Sequence, residues 1–233
     1  MENENVICNA CFESARCPED TKAGVQDNWC AKACKLKYLY DLAMIPENRR
    51  AHLSLKIDKD GADKDVFRQL KELSDHASEF VASGKNLYIH SPVTGNGKTS
   101  WAFRFAQNYL EQIWDKVAVE CRVLFISVPR LLMSLKSNDK NDVDYVHEIK
   151  DNIYKADLVI WDDIGSKNAT VFEEQHLFIF IDTRLSMGKS NIFTSNLNED
   201  ELLEALGDKM TSRVYGSSIV CELKGKDKRG MAQ

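Results

Sequence analysis

The chain has 233 residues, of which 43% are hydrophobic and 29% charged, with a formal net charge of −5 at pH 7. That length holds one full α/β core and a small appendage, in an ordinary soluble balance. The acidic total excludes nucleic-acid binding over the whole surface, so any such contact must be local or built by several subunits.

The opening residues, MENENVIC, carry no basic-then-apolar signal, and no apolar run approaches bilayer length. The expected location is the cytoplasm, with no membrane partner. Five of the seven cysteines, Cys8, Cys11, Cys17, Cys30 and Cys34, fall at the start of the chain. A reducing compartment disfavours disulfides, so clustered thiols read as metal ligands. Cys8-x2-Cys11 and Cys30-x3-Cys34 have the spacing of two halves of a structural zinc site, with Cys17 as a substitute for one of them. A four-thiolate iron–sulfur cluster uses the same ligands and stays open as an alternative. Residues 1–45 show little apolar periodicity, which suits a small Cys-rich module that needs an ion to fold.

Residues 46–84 form a polar, helix-compatible linker. Pro46 ends whatever precedes it, and Val66, Leu70 and Leu73 keep helical spacing through to Phe80 before Ser83-Gly84 stops the helix. From residue 85 to 233, short apolar runs alternate with amphipathic segments. The predicted strands are Asn86–His90, Arg122–Ser127, Asp157–Trp161, Asn191–Thr194 and Ile219–Glu222. The predicted helices are Lys98–Asp115, Pro129–Lys136, Val143–Ile153, Val171–Met187, Glu199–Leu206 and Lys209–Val214. Phe178-Ile179-Phe180-Ile181 suits a strand as well, but Leu177, Phe178, Ile181 and Leu185 share one helical face. The alternation implies crossover connections and an α/β fold with a mainly parallel, doubly wound sheet.

Ser91-Pro92-Val93-Thr94-Gly95-Asn96-Gly97-Lys98-Thr99 follows a predicted strand and opens a helix whose buried face is Ala102, Phe105, Ala106, Tyr109 and Ile113. Strand, glycine loop and helix in that order make a phosphate cradle. Gly95 and Gly97 let the backbone approach phosphate, and the amides from Gly95 to Thr99 converge on an anion at a helix N-terminus. Thr94, Asn96 and Ser100 complete the candidate loop. Lys98 places a point charge on the terminal phosphates of ATP, and the Thr99 hydroxyl is a ligand for Mg2+. Pro92 stands where such loops usually have their first glycine. That position turns the chain without donating to phosphate.

Asp157-Leu158-Val159-Ile160-Trp161-Asp162-Asp163 is an apolar strand that ends in two carboxylates, delivered into the crevice at the strand's carboxyl end. Asp162 fits the acid that holds magnesium beside Thr99, and Asp163 the base that orients the attacking water. Asn191-Ile192-Phe193-Thr194-Ser195-Asn196 is a third strand, expected between the other two. Asn196 at its end is a candidate sensor of the γ-phosphate and the lytic water.

The run SPVTGNGKTS, then LVIWDDIG, then TSNLNEDEL, then Gly207-Asp208-Lys209-Met210-Thr211-Ser212-Arg213-Val214 resembles the bacterial replicative helicase loaders of the DnaC/DnaI type. These are AAA+ P-loop ATPases, close to the transposition helper ATPases of the IstB type. The resemblance spans roughly residues 85–229, and the cysteines followed by Ile45-Pro46-Glu47-Asn48 are also similar to loaders, particularly compact ones of phages. It implies an AAA+ core without a full helical lid and self-association through the ATP sites. Arg213 matches an arginine finger, although an ordinary exposed helix arginine reads the same. Arg229 lies where a sensor-2-like arginine is sought, in what is equally a solvated basic tail. The resemblance further implies that the N-terminal module docks on the replicative hexameric helicase. It places single-stranded DNA along Ser127–Lys136, where Arg130 and Lys136 meet phosphates or are simply solvated. A transposition helper and a nucleotide-switched, non-catalytic adaptor stay open beside the loader.

Overall fold

The structure, a computed structural model, describes residues 28–50, 55, 61, 63–166 and 169–226. Cys8, Cys11, Cys17 and Arg229 lie outside the described residues, as do the side chains of Cys30 and Cys34. The described part opens with helix α1 (Asn28–Leu42) and a 3-10 turn at Glu47–Arg49 that Pro46 introduces. Then follow α2 (Lys64–Asp75), α3 (Ala77–Ala82), β1 (Asn86–His90), α4 (Lys98–Ile113), β2 (Val123–Ser127), α5 (Val128–Ser134), α6 (Lys140–Asn152) and β3 (Leu158–Asp162). The chain continues through α7 (Val171–Ser186), β4 (Ser190–Ser195), α8 (Glu199–Val214) and β5 (Ser218–Glu222).

All five strands are parallel, in the order β2-β3-β4-β1-β5. The third predicted strand, β4, therefore lies between β1 and β3, as expected, and every strand delivers its carboxyl end to one edge of the sheet. Period-2 alternation sends side chains into two separate cores. Leu158, Ile160 and Ile192 join Leu87 and Ile89 under α1 to α4, whereas Val159, Trp161 and Phe193 meet α5 to α8 on the other face.

Three local readings differ from expectation. Helix α1 was not foreseen. Its end, with Leu39, Tyr40, Ala43 and Ile45, is buried in the same core as α4, and Ala43 O accepts from Phe125 N on β2 at 2.9 Å. The single helix expected through Val66 to Phe80 breaks at His76, whose φ of −109° and ψ of 36° separate α2 from α3. On α7 the buried positions are Glu173, Leu177, Phe180, Ile181 and Arg184, while Phe178 and Leu185 are only partly covered. The two helices expected at 199–206 and 209–214 follow one another in α8 as expected, separated by the non-helical backbone of Gly207 at φ 75° and ψ 167°.

Arg184 is the largest departure from a simple apolar core, being 0% exposed. Its guanidinium donates to the carbonyls of Ile153, Ala156 and Ser190 and to Asn191 Oδ1, at 2.5 to 2.8 Å. Asn191 also accepts from Trp161 Nε1 at 3.1 Å and donates to Asn86 Oδ1 at 2.9 Å. One cation thus ties together the amino-terminal ends of β1, β3 and β4, away from the loop edge. Burial pushes its pKa down to about 9, so it keeps its charge at neutral pH. Arg184→Leu strands several buried carbonyl acceptors and is expected to cost about 3–5 kcal/mol in urea unfolding; a loss below about 1 kcal/mol contradicts this role.

Candidate active site

The loop between β1 and α4 is folded around its own side chains. Ser91 is fully buried; its Oγ accepts from Val93 N at 3.1 Å and from Asn96 Nδ2. Asn96 Nδ2 also donates to Leu223 O at 3.1 Å, which fastens the loop to the chain leaving β5. That exit segment is gripped in turn by Asp63, whose carboxylate accepts from Lys224 N at 2.6 Å and Gly225 N at 2.8 Å. Gly97 has a φ of 108°, and a Cβ there would meet nothing within 4 Å. Glycine is needed at that position for its backbone angle and not for room. With Gly95 at φ 77°, it curls the chain so that successive amides can face one concavity at the start of α4. Pro92 and Thr94 are exposed on the outside of the turn.

Lys98 is 8% exposed, with Nζ 3.2 Å from Val93 O and 3.4 Å from Ser91 O, inside the turn. Thr99 Oγ1 donates to Asp162 Oδ1 at 2.8 Å, which joins the loop helix to the end of β3. The Gly-Lys-Thr turn and the twin aspartates therefore come together at the carboxyl edge of the sheet. Asp163 has a φ of 63°, an uncommon backbone angle for a residue other than glycine and a frequent mark of functional sites. Asn196 Nδ2 lies 3.4 Å from Asp163 Oδ1, so the sensor candidate and the second aspartate meet.

Thr194 was not singled out as a site residue, although it belongs to the polar trio ending β4. Its Oγ1 donates to Asp162 Oδ1 at 2.7 Å and accepts from Asp163 N at 3.0 Å. The available signal was its alternation in step with Ile192, which puts it on the α4 face. Ser195 Oγ donates to Ile164 O at 2.7 Å and closes the same stitch.

The remaining candidates are spread out. Arg213 is on the last turn of α8, its side chain 47% exposed and paired with Asp182 of α7. On α5, Arg130 is exposed and lies 4.0 Å over the ring of Tyr145, whereas Lys136 is paired at 2.9 Å with the buried Glu173. Cys30 and Cys34 are one helical turn apart on α1. No cluster of three or more metal-ligand residues occurs among the described residues. Among the same residues, no helix is long and apolar enough to cross a membrane.

Burial holds the Asp162 carboxyl above its usual range, against the opposing pull of the Thr194 and Thr99 hydrogen bonds. The folded state thus disfavours the ionised form, and the contribution of Asp162 to stability falls as pH rises above the unfolded value of 3.8. Asp162→Asn keeps an oxygen acceptor and removes the charge. The nucleotide-free variant is expected to melt above the wild type at pH 7, with the gap closing as pH falls toward 3.8. Scanning fluorimetry across pH checks this, and a variant melting below the wild type at neutral pH refutes it.

Residues 32–225 match the family described as IstB-like ATP binding protein. The replicative helicase loader DnaC of Buchnera aphidicola subsp. Schizaphis graminum is 26% identical over 166 residues, which cover 70% of this chain and 63% of the loader. The chain therefore spans less than two thirds of that relative's length. A solved DnaC helicase loader superposes with a TM-score of 0.60 at 18% identity, over 77% of this chain and 100% of that one. A solved DnaI gives 0.57 at 19% identity, over 76% and 94%. At such identities the two structures establish a shared fold. With the family match covering most of the sequence, this chain belongs to the IstB-like ATP-binding protein family.

Proposed function

We propose that this protein is an ATP-hydrolysing helicase loader, which binds a replicative hexameric helicase and single-stranded DNA during the initiation of replication. The observation that carries the enzymatic half is the meeting of Lys98, Thr99, Asp162, Asp163 and Asn196 at one sheet edge. The residues fit a magnesium-bound triphosphate: a curled glycine backbone, a buried ammonium at its centre, and a hydroxyl bonded to a carboxylate. Bound magnesium would neutralise charge across the phosphates, held by Thr99 and Asp162. The loop amides and Lys98 orient the phosphates. Asp163 accepts the proton of the attacking water, and Asn196 holds that water and the terminal phosphate in line.

The loading half rests on the relationship to DnaC and on surface features. Arg213 serves as an arginine finger toward a neighbouring subunit once it leaves Asp182, and so calls for self-association through the ATP sites. With Lys136 committed to Glu173, DNA phosphates fall to Arg130, repeated across subunits. Cys8, Cys11, Cys30 and Cys34 hold a structural zinc ion in the module that docks on the helicase. Arg229 adds a sensor contact to the nucleotide.

Lys98→Ala is expected to weaken ATP binding about 100-fold or more, because a buried charged contact to phosphate is lost. Unchanged affinity removes the site assignment. Asp163→Asn should keep affinity while turnover drops about 10²–10⁴-fold, the size of a general-base contribution. A wild type that binds ATP without turnover under any DNA condition makes the protein a nucleotide-switched adaptor. A pull-down from host lysate with and without ATP should recover a hexameric helicase, and recovery of a transposase in its place selects the transposition helper.

A further inference from the structure

We infer that Thr194 is the positioning residue of the hydrolytic site: its single hydroxyl sets both aspartates, Asp162 through the side chain and Asp163 through the backbone. The inference deepens the ATPase reading and rests on it.

The placement follows from the strand register. Trp161 pairs with Phe193 across β3 and β4, so the next residue of each strand, Asp162 and Thr194, point to the opposite face, where α4 lies. A hydroxyl has one proton. Asp163 N–H can only donate to Oγ1, so the Thr194 proton is directed to Asp162 Oδ1. The polarity of the link is therefore fixed. Asp162 Oδ1 accepts two hydrogen bonds, from the hydroxyls of Thr99 at 2.8 Å and Thr194 at 2.7 Å. Thr99 can keep its proton on Asp162 while its lone pairs turn toward a cation. Thr194 spends its hydroxyl on Asp162 and the Asp163 amide, and its part is to keep the carboxylate from rotating when Thr99 takes up that second duty.

The other half of the link acts on backbone. Asp163 stands at φ 63°, and the bond from its amide to Thr194 Oγ1 holds that angle. Thr194 O independently accepts from Ile164 N at 2.9 Å. A change confined to the hydroxyl therefore frees the Asp163 amide and leaves the Ile164 amide bonded, which gives a control within the same turn.

The test compares Thr194→Val, which keeps shape and loses the hydroxyl, with Thr194→Ser, which keeps the hydroxyl. In the nucleotide-free protein, amide exchange at Asp163 should accelerate at least about 10-fold in the valine variant, with exchange at Ile164 little changed. Affinity for ATP in EDTA should stay within about 3-fold of wild type, while the strengthening of binding by Mg2+ is largely lost. Turnover should fall about 100-fold, and KM for ATP in the presence of Mg2+ should rise in step with the lost magnesium strengthening. The serine variant should restore Asp163 protection and magnesium dependence. Equal effects on Asp163 and Ile164, a loss of affinity in EDTA, or no rescue by serine would mean a general packing role and overturn the inference. A wild type that binds magnesium nucleotide without turnover defeats the hydrolysis reading alone, and the exchange and magnesium-affinity results still decide Thr194.

Discussion

A carboxylate held partly out of water organises the whole loop edge of this protein. Asp162 sits where β3 ends, with the hydroxyl of the α4 helix on one side and that of the adjacent strand β4 on the other. An ionised acid in such a place is unfavourable by itself, and the two hydroxyls offset only part of the desolvation. What makes the arrangement possible is the strand order. With β4 between β1 and β3, the glycine loop after β1 and the acids after β3 flank one polar strand end. The site is therefore a property of the topology before it is a property of any one motif.

The two edges of the sheet treat charge in opposite ways. At the amino-terminal edge, the Arg184 cation is enclosed and its donors are taken up by carbonyls and Asn191, a closed arrangement that joins three strands. At the carboxyl-terminal edge, the buried Lys98 and the half-buried Asp162 are set beside a loop whose backbone is curled and whose outer residues, Pro92 and Thr94, are exposed. The same polar materials thus give rigidity at one end and a receptive surface at the other. This division agrees with the rule that parallel α/β sheets bind ligands beyond their strands' carboxyl ends.

Much of this was legible in the sequence, for physical reasons that differ by element. The five strands and the helices from α4 onward announce themselves through apolar runs and spacing, and the expected gap between residues 206 and 209 holds Gly207, whose φ of 75° breaks α8. The loop and the twin aspartates were legible because each carries chemistry in a short contiguous run. What stayed hidden depended on three-dimensional partners. Arg184 looks like a solvated helix cation until the carbonyls of Ile153, Ala156 and Ser190 surround it. Helix α1 has so little amphipathic pattern that only its packed end reveals its place. Thr194 was visible as one of three polar residues, but its bonds to Asp162 and Asp163 exist only once β3 and β4 are paired.

The tether from Asn96 to Leu223 joins residues 127 positions apart, and Asp63 secures the same stretch from a third point in the chain. The Gly-Lys-Thr turn is synthesised long before Leu223 exists. A nascent chain on the ribosome consequently carries the phosphate-binding letters without the anchor that shapes them. The cradle is finished only when β5 has docked at the sheet's far edge, so a half-made copy cannot capture nucleotide in the mature geometry. A ligand that prefers the finished loop favours its closure in proportion to that preference.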